Sequence, residues 1–239
     1  MLIIPAIDLL DGKVVRLVQG DYEKVKIYSD DPAAIAVRWE DAGAKLIHVV
    51  DLDGAKTGRS QNLKAVEKIL AATDADIELG GGIRDMEGIY RALDIGVSYV
   101  VLGSAAFKDK KFAEESALKY GDKIIVGIDV RSGEIALEGW TEGISAPIEN
   151  HLRQFEQNGI KRIIFTDIHK DGMLEGPNIE ALTDVLEKTS MEVIASGGVT
   201  RLDDLKALKE LEDLGLKGVI IGKALYEGKI NLAEAVNAG

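Results

Sequence analysis

IIPAIDLLDGKVV (residues 3–15) returns in the second half of the chain as IIVGIDVRSGEIA (residues 124–136), which sets Asp8 against Asp129, 121 positions later. Three further pairs keep step. LIHVVDLDGAKTGRSQN (46–62) returns as RIIFTDIHKDGMLEGPN (162–178), so that Asp51 meets Asp167 and Asn62 meets Asn178, both 116 apart. IELGGGIRD (77–85) matches VIASGGVTR (193–201), with Gly82 against Gly198 at the same offset of 116. YVVLGSAAF (99–107) matches GVIIGKALY (218–226), with Gly103 against Gly222 at 119. Landmarks in one order at nearly constant offset identify an internal duplication with a period of about 120 residues. Each half holds only half of the strand and helix alternation. The 239 residues therefore read as a single domain, residues 1–239, built from halves of about 1–120 and 121–239.

Short runs rich in Val, Ile and Leu predict buried parallel strands near residues 2–7, 46–50, 77–80, 99–102, 124–128, 162–166, 192–195 and 218–221. Between them apolar residues recur at helical spacing, as in Leu63, Val66 and Leu70, or Leu202, Leu205, Leu208 and Leu211. Asp31 before Pro32, and Pro177 with Asn178, have the chemistry of helix starts, while Gly43, Gly96, Gly159 and Gly215 fall where helices should stop. Eight such units predict an α/β protein, a closed (β/α)8 TIM barrel, with an open doubly wound sheet as the competitor. The duplication favours closure: two four-unit halves related by a pseudo-twofold complete a ring, whereas an open sheet generally has a switch point that the repeat does not suggest. The least regular stretches are residues 12–30, 53–61 and 131–146. The first and last take equivalent places after Asp8 and Asp129, and we expect them to be loops that close over a ligand.

Composition narrows the function. A hydrophobic share of 46% with 29% charged residues describes an ordinary globule with ample core. The formal net charge of −12 repels nucleic acid and anionic membranes at long range, so an anionic ligand must be held by local groups. The absence of cysteine excludes disulfides and thiolate zinc sites, and three scattered histidines do not suggest a His-based metal site. His48 alternates out of phase with Asp51 and is expected to face the helices, His151 to be solvated on a helix, and His169 to sit in the loop after the sixth strand. No basic leader precedes the first strand and no apolar stretch of about 18 residues is present, so the expected compartment is the cytoplasm. The expected partner is a small molecule bound by a monomer.

In a barrel of this kind the active site lies at the C-terminal ends of the strands. The residues that follow the apolar runs are Asp8, Asp51, Gly81 with Gly82, Gly103 with Ser104, Asp129, Thr166 with Asp167, Gly197 with Gly198, and Gly222 with Lys223. Carboxylates follow strands one, two, five and six; glycines follow three, four, seven and eight. Glycine lets the backbone turn tightly and brings amide hydrogens within reach of a phosphate. One glycine at a strand end is ordinary punctuation, but barrels commonly bind phosphate after strands seven and eight, and the duplicated set after three and four implies a second site opposite. A ligand with a phosphate at each end follows. Lys223 adds a point charge to one site where its counterpart Ser104 can only donate a hydrogen bond. Asp8 and Asp129 are the candidates for base and acid, since two carboxylates across a ligand can divide proton removal from proton donation. Asp51 and Asp167 fit an orienting or hydrogen-bonding role as well as chemistry, and Thr166 can position a carboxylate or a sugar hydroxyl. Trp140, an aromatic in a polar, Gly-rich stretch, is suited to stack on a planar ring, whereas Trp39 reads as core.

The segments PAIDLLDGKVVRLVQGDY, HVVDLDGAK, GGGIRD, GIDVRSGEIALEGW, TDIHKDGMLEGPN, IASGGV and IIGKALYEG, in order from about residue 3 to about residue 228, together resemble the phosphoribosylformimino-AICAR-phosphate isomerases of histidine biosynthesis. The resemblance implies a (β/α)8 barrel, a substrate with two phosphoribosyl groups, no metal or cofactor, and an Amadori rearrangement of an aminoaldose to an aminoketose. Carried over by position, it implies that Asp8 removes the proton at C2 of the ribose, that Asp129 protonates the ring oxygen, and that Thr166 supports them by hydrogen bonding. It further implies that Trp140 packs on the substrate and that Arg16 and Arg84 lie near it. Neither chemical step needs an electron sink.

Three other readings compete. The cyclase subunit of imidazole glycerol phosphate synthase shares the duplication and the paired aspartates, but PAIDL and EGW look like the isomerase pattern. A non-catalytic phosphosugar-binding barrel would fit the glycines, though not the retention of both Asp8 and Asp129. The bifunctional isomerase that also serves tryptophan biosynthesis has an arginine two residues before the loop tryptophan, where this chain has Glu138. An acid there repels the carboxylate of phosphoribosylanthranilate. Little turnover of that compound is therefore expected in a product assay, and efficient turnover would contradict the reading.

Overall fold

In the computed structural model, which describes residues 1–18, 20–131, 133–137, 142–144 and 147–239, every one of the eight apolar runs is a strand. They are β1 (Leu2–Leu10), β2 (Leu46–Asp51), β3 (Asp76–Gly80), β4 (Tyr99–Leu102), β5 (Ile124–Arg131), β6 (Arg162–Asp167), β7 (Glu192–Ser196) and β8 (Leu216–Ile221). Each pairs in parallel with the next, β5 with β6 by Asp129 opposite Thr166, and β8 closes on β1 by Ile4 opposite Ile220. The result is a closed (β/α)8 barrel with helices between the strands.

Side-chain alternation splits the core in two. Ile4, Ala6, Leu46, Val101, Ile125, Ile164, Ile194 and Ile220 fill the barrel interior. The larger cluster, with Ile3, Ile7, Leu9, Ile47 and Val49 among its members, lies between the sheet and the helices. Helix ends follow the punctuation. Asp31 accepts a hydrogen bond from the Ala34 amide ahead of helix Pro32–Asp41, and Asn178 does the same for Ala181 ahead of Ile179–Glu187. Gly43, Gly96, Gly159 and Gly215 all take positive φ after the helices they end. Trp39 is buried, edge-on to Tyr226 with ring centroids 5.5 Å apart. Among the described residues no helix is long and apolar enough to cross a membrane.

The stretch expected to be an irregular loop after β1 is instead an antiparallel ribbon. Asp11 (φ 49) and Gly12 (φ 72) form a two-residue turn with both residues at positive φ, which matches strand twist, and Lys13–Val18 then pairs back on β1 and forward on Asp21–Ser29. The second half repeats the device: Glu134–Leu137 folds back on β5 and pairs with Glu142–Ile144. Residues 53–61 are likewise regular in part, as helix Leu52–Thr57.

The far strand of the first ribbon is held by its end. Tyr28 stacks on Tyr226 with centroids 4.6 Å apart, and Tyr28 Oη and Lys26 Nζ both donate to Glu227 Oε1 at 2.6 Å. These two donors hold the Glu227 carboxyl below the usual glutamate range. A depressed folded-state pKa stabilises the docked form above the unfolded value near 4.5 and ceases to do so as pH falls through the folded value. Tyr28→Ala should raise the rate of limited proteolysis within residues 13–29 by about fivefold, because a stacked pair is worth roughly 1 kcal/mol, while the barrel's Tm moves by only a few degrees. Proteolysis at the wild-type rate would show that the ribbon is held elsewhere.

Candidate active site

At the C-terminal mouth of the barrel the strand ends and the first ribbon enclose a cleft of about 310 Å³. Thirteen of the sixteen residues singled out from the sequence line it: Asp8, Arg16, Gly81, Gly82, Arg84, Gly103, Ser104, Asp129, Thr166, Gly197, Gly198, Gly222 and Lys223. Trp140 and Glu138 lie outside the described residues. Asp8 and Asp129 occupy β1 and β5, four strands apart in a ring of eight, so they stand on opposite walls. Thr166 sits beside Asp129 in register and is, like Asp8, 8% exposed.

Arg16 reaches in from the ribbon and ties two walls together. Its Nη1 donates to Asp8 Oδ2 at 3.0 Å, and its Nη2 lies 2.6 and 2.5 Å from the two oxygens of Asp171. Burial alone would lower the guanidinium's pKa, but the charges of Asp171 and Asp8 and their hydrogen bonds hold it above its ordinary value. Sequence reasoning missed Asp171. It lies inside the loop after β6, where no periodicity says which side chain turns inward. Lys223 Nζ donates to the Gly172 carbonyl of the same loop at 2.8 Å, and Arg84 Nη2 donates to the Ala55 carbonyl at 3.2 Å.

Asp51 and Asp167 do not line the cleft. Asp51, 1% exposed, accepts from the amides of Gly54, Gln61 and Asn62 at 2.8, 2.6 and 3.0 Å and from Asn62 Nδ2 at 2.7 Å. Asp167 accepts from the His169 amide at 2.9 Å and from Asn178 Nδ2 at 2.7 Å. The duplicated Asp–Asn pair therefore ties each loop to its following helix, and these side chains are loop organisers. Because Asp51 turns outward, the parity of β2 is the reverse of that expected: Leu46, His48 and Val50 turn inward, and His48 lines the cleft with Nδ1 2.7 Å from Glu78 Oε1. His151 is not simply solvated either; it packs on Phe107, ring centroids 5.2 Å apart, and burial with the charge of Lys110 lowers its pKa. His169 is exposed and outside the lining.

The glycine pairs are demanded by the backbone around them. Gly81 and Gly82 have φ of 96 and 75, Gly197 and Gly198 of 94 and 91. A Cβ on Gly81 would stand 2.2 Å from the Asp51 carbonyl oxygen, one on Gly197 2.9 Å from that of Asp167, and one on Gly198 2.5 Å from that of Gly176. Each loop closed by an Asp–Asn pair thus presses on the glycines that follow the next strand. All four glycines line the cleft, so bare backbone rather than side chain borders it at both places.

A duplicated (β/α)8 barrel with two acids facing each other over one mouth, between two glycine turns, defines the class. The chain belongs to the family described as histidine biosynthesis protein, whose model matches residues 2–231. It is similar to proteins named 1-(5-phosphoribosyl)-5-((5-phosphoribosylamino)methylideneamino)imidazole-4-carboxamide isomerase from Caldanaerobacter subterraneus (51% identity over 99% of this chain and 97% of that protein) and Thermoanaerobacter (49%, over 99% of each). The relative of that name from Alkaliphilus metalliredigens is 48% identical over 98% of each chain.

Gly198→Ala should cost more stability in urea denaturation than Gly12→Ala. Both carry the penalty of a left-handed backbone, about 1–2 kcal/mol, but only the former meets neighbouring backbone; a Cβ on Gly12 meets nothing within 4 Å. Equal losses would show that the loop yields.

Proposed function

We propose that this protein is the isomerase its relatives are named for, and that it rearranges the aminoaldose of a bis-phosphoribosyl imidazole carboxamide into the aminoketose. The observation that carries the reading is the placement of Asp8 and Asp129 across one cleft that has a glycine turn on either side. In this reading one phosphate takes the backbone amides of Gly81, Gly82 and Gly103 with the Ser104 hydroxyl, and the other takes those of Gly197, Gly198 and Gly222 with Lys223. Lys223 is suited to this because its neutral partner, the Gly172 carbonyl, is one a phosphate oxygen can replace. The two phosphates then span the mouth and set the reacting ribose between the acids.

Asp129 gives a proton to the ring oxygen as the bond from C1 to that oxygen breaks, which leaves an open-chain iminium. Asp8 takes the proton from C2, and the electrons of that bond move to make the enolamine. Return of a proton to C1 and loss of the proton on the C2 hydroxyl complete the aminoketose, so the sugar is oxidised at C2 and reduced at C1 with no external redox partner. Thr166, beside Asp129, holds that carboxyl or a sugar hydroxyl, and Trp140 stacks on the imidazole. Arg84 stands near the first phosphate. Arg16 fixes the orientation of Asp8 through Oδ2. The same reading takes residues 1–239 as one domain working as a monomer in the cytoplasm.

Asp8→Asn is isosteric and removes only the base. Steady-state assays should show kcat reduced by about 10³ or more, while the dissociation constant for substrate stays within about threefold, in line with the contribution of general-base catalysis. A variant with near-normal kcat would contradict the assignment.

A further inference from the structure

The two halves of the barrel differ at one buried spot where the fold gives no reason for a difference. On β2 and β3, His48 lies in register with Glu78; 116 residues later, on β6 and β7, the same two places hold Ile164 in register with Ile194. Both isoleucines belong to the apolar barrel interior. The second half therefore shows that this layer packs with two aliphatic side chains. The first half instead buries a carboxylate at 0% exposure, and Glu78 Oε2 has no hydrogen-bond partner. Burying a charge costs several kcal/mol unless it is well paired, and an apolar replacement is often neutral or stabilising. Stability gives no account of the pair.

Its location does. His48 is opposite Ala6 in the pairing of β1 with β2, one inward step below Asp8, and it lines the floor of the cleft. Ala6, Gly80 and Gly127 line the same floor, so the space above the ring is left open by small residues. Nδ1 is engaged by Glu78 at 2.7 Å, which fixes the ring plane and leaves Nε2 as the nitrogen for a ligand. We propose that His48 is a catalytic residue that hydrogen-bonds through Nε2 to a hydroxyl of the reacting ribose, and that Glu78 is its positioning residue. This inference rests on the isomerase reading above and adds to it a source of direction. A near-symmetric scaffold that binds a ligand phosphorylated at both ends must distinguish the sugar that reacts from the one that does not. The His48–Glu78 pair marks the Asp8 half, and Ile164–Ile194 offers no equivalent contact.

The test is the double substitution His48→Ile with Glu78→Ile, which gives the first half the residues of the second. It should keep a wild-type or higher Tm and lose about 100-fold in kcat with KM changed by less than about threefold, because the phosphate contacts are intact and only the reacting sugar is loosened. A folded double variant with kcat within about twofold of wild type would overturn the inference. A second measurement needs no variant to fold: with only three histidines in the chain, imidazole 15N spectra of the wild type should show the His48 Nε2 resonance moving when the aminoketose product is added to saturation. An unmoved resonance would also overturn it. The wild-type rate, measured alongside, tests the isomerase reading separately. An inactive wild type removes both, whereas an active wild type with an equally active double variant removes only the role of this pair.

Discussion

Closing eight parallel strands into a ring ties the destination of each strand residue to its parity. On β1, Ile4 and Ala6 enter the barrel and Asp8 reaches the cleft above them, while Ile3, Ile7 and Leu9 pack under the helices. The same rule applied to β5 sends Asp129 into the same mouth, and four strands of separation in a ring of eight put the two acids on opposite walls. Facing carboxylates are thus a consequence of duplication plus closure. No loop has to find a special conformation to bring them together.

What the loops do is hold the rest of the mouth still. The Asp51–Asn62 and Asp167–Asn178 pairs fold the segments after β2 and β6 against the glycines after β3 and β7, at carbonyl distances that no side chain tolerates. The buried side chains of Asp51 and Asn62 have hydrogen-bond partners at every oxygen and nitrogen, which favours a rigid wall. Arg16 then joins the first ribbon to β1 through Asp8 and to the loop after β6 through Asp171, so the wall that carries the base and that loop share one guanidinium.

The strands, the ring, the helix ends at Asp31 and Asn178 and the paired glycines were legible in the sequence because each leaves a local signature: apolar runs, caps, positive φ. Three things were not. The ribbon after β1 escapes a sequence reading because Asp21–Ser29 is largely exposed and its alternation is short, Val25 and Ile27 set between lysines, although the Asp11–Gly12 turn marks a hairpin. His48 falls on the wrong side in a reading that points Asp51 into the cleft; one outward aspartate reverses the parity of a whole strand. Asp171 sits in a loop, where sequence spacing says nothing of direction.

The central claim is spatial: one ligand spans both glycine turns and presents its sugar to both acids. A crystal structure of Asp8→Asn soaked with the bis-phosphoribosyl substrate tests it directly. The account predicts one phosphate about 3 Å from the amides at Gly81–Gly82 and Gly103, the other at the same range from Gly197–Gly198 and Gly222, and the ribose between positions 8 and 129. Both phosphates on one side of the barrel, or a ribose out of reach of Asp129, would contradict it.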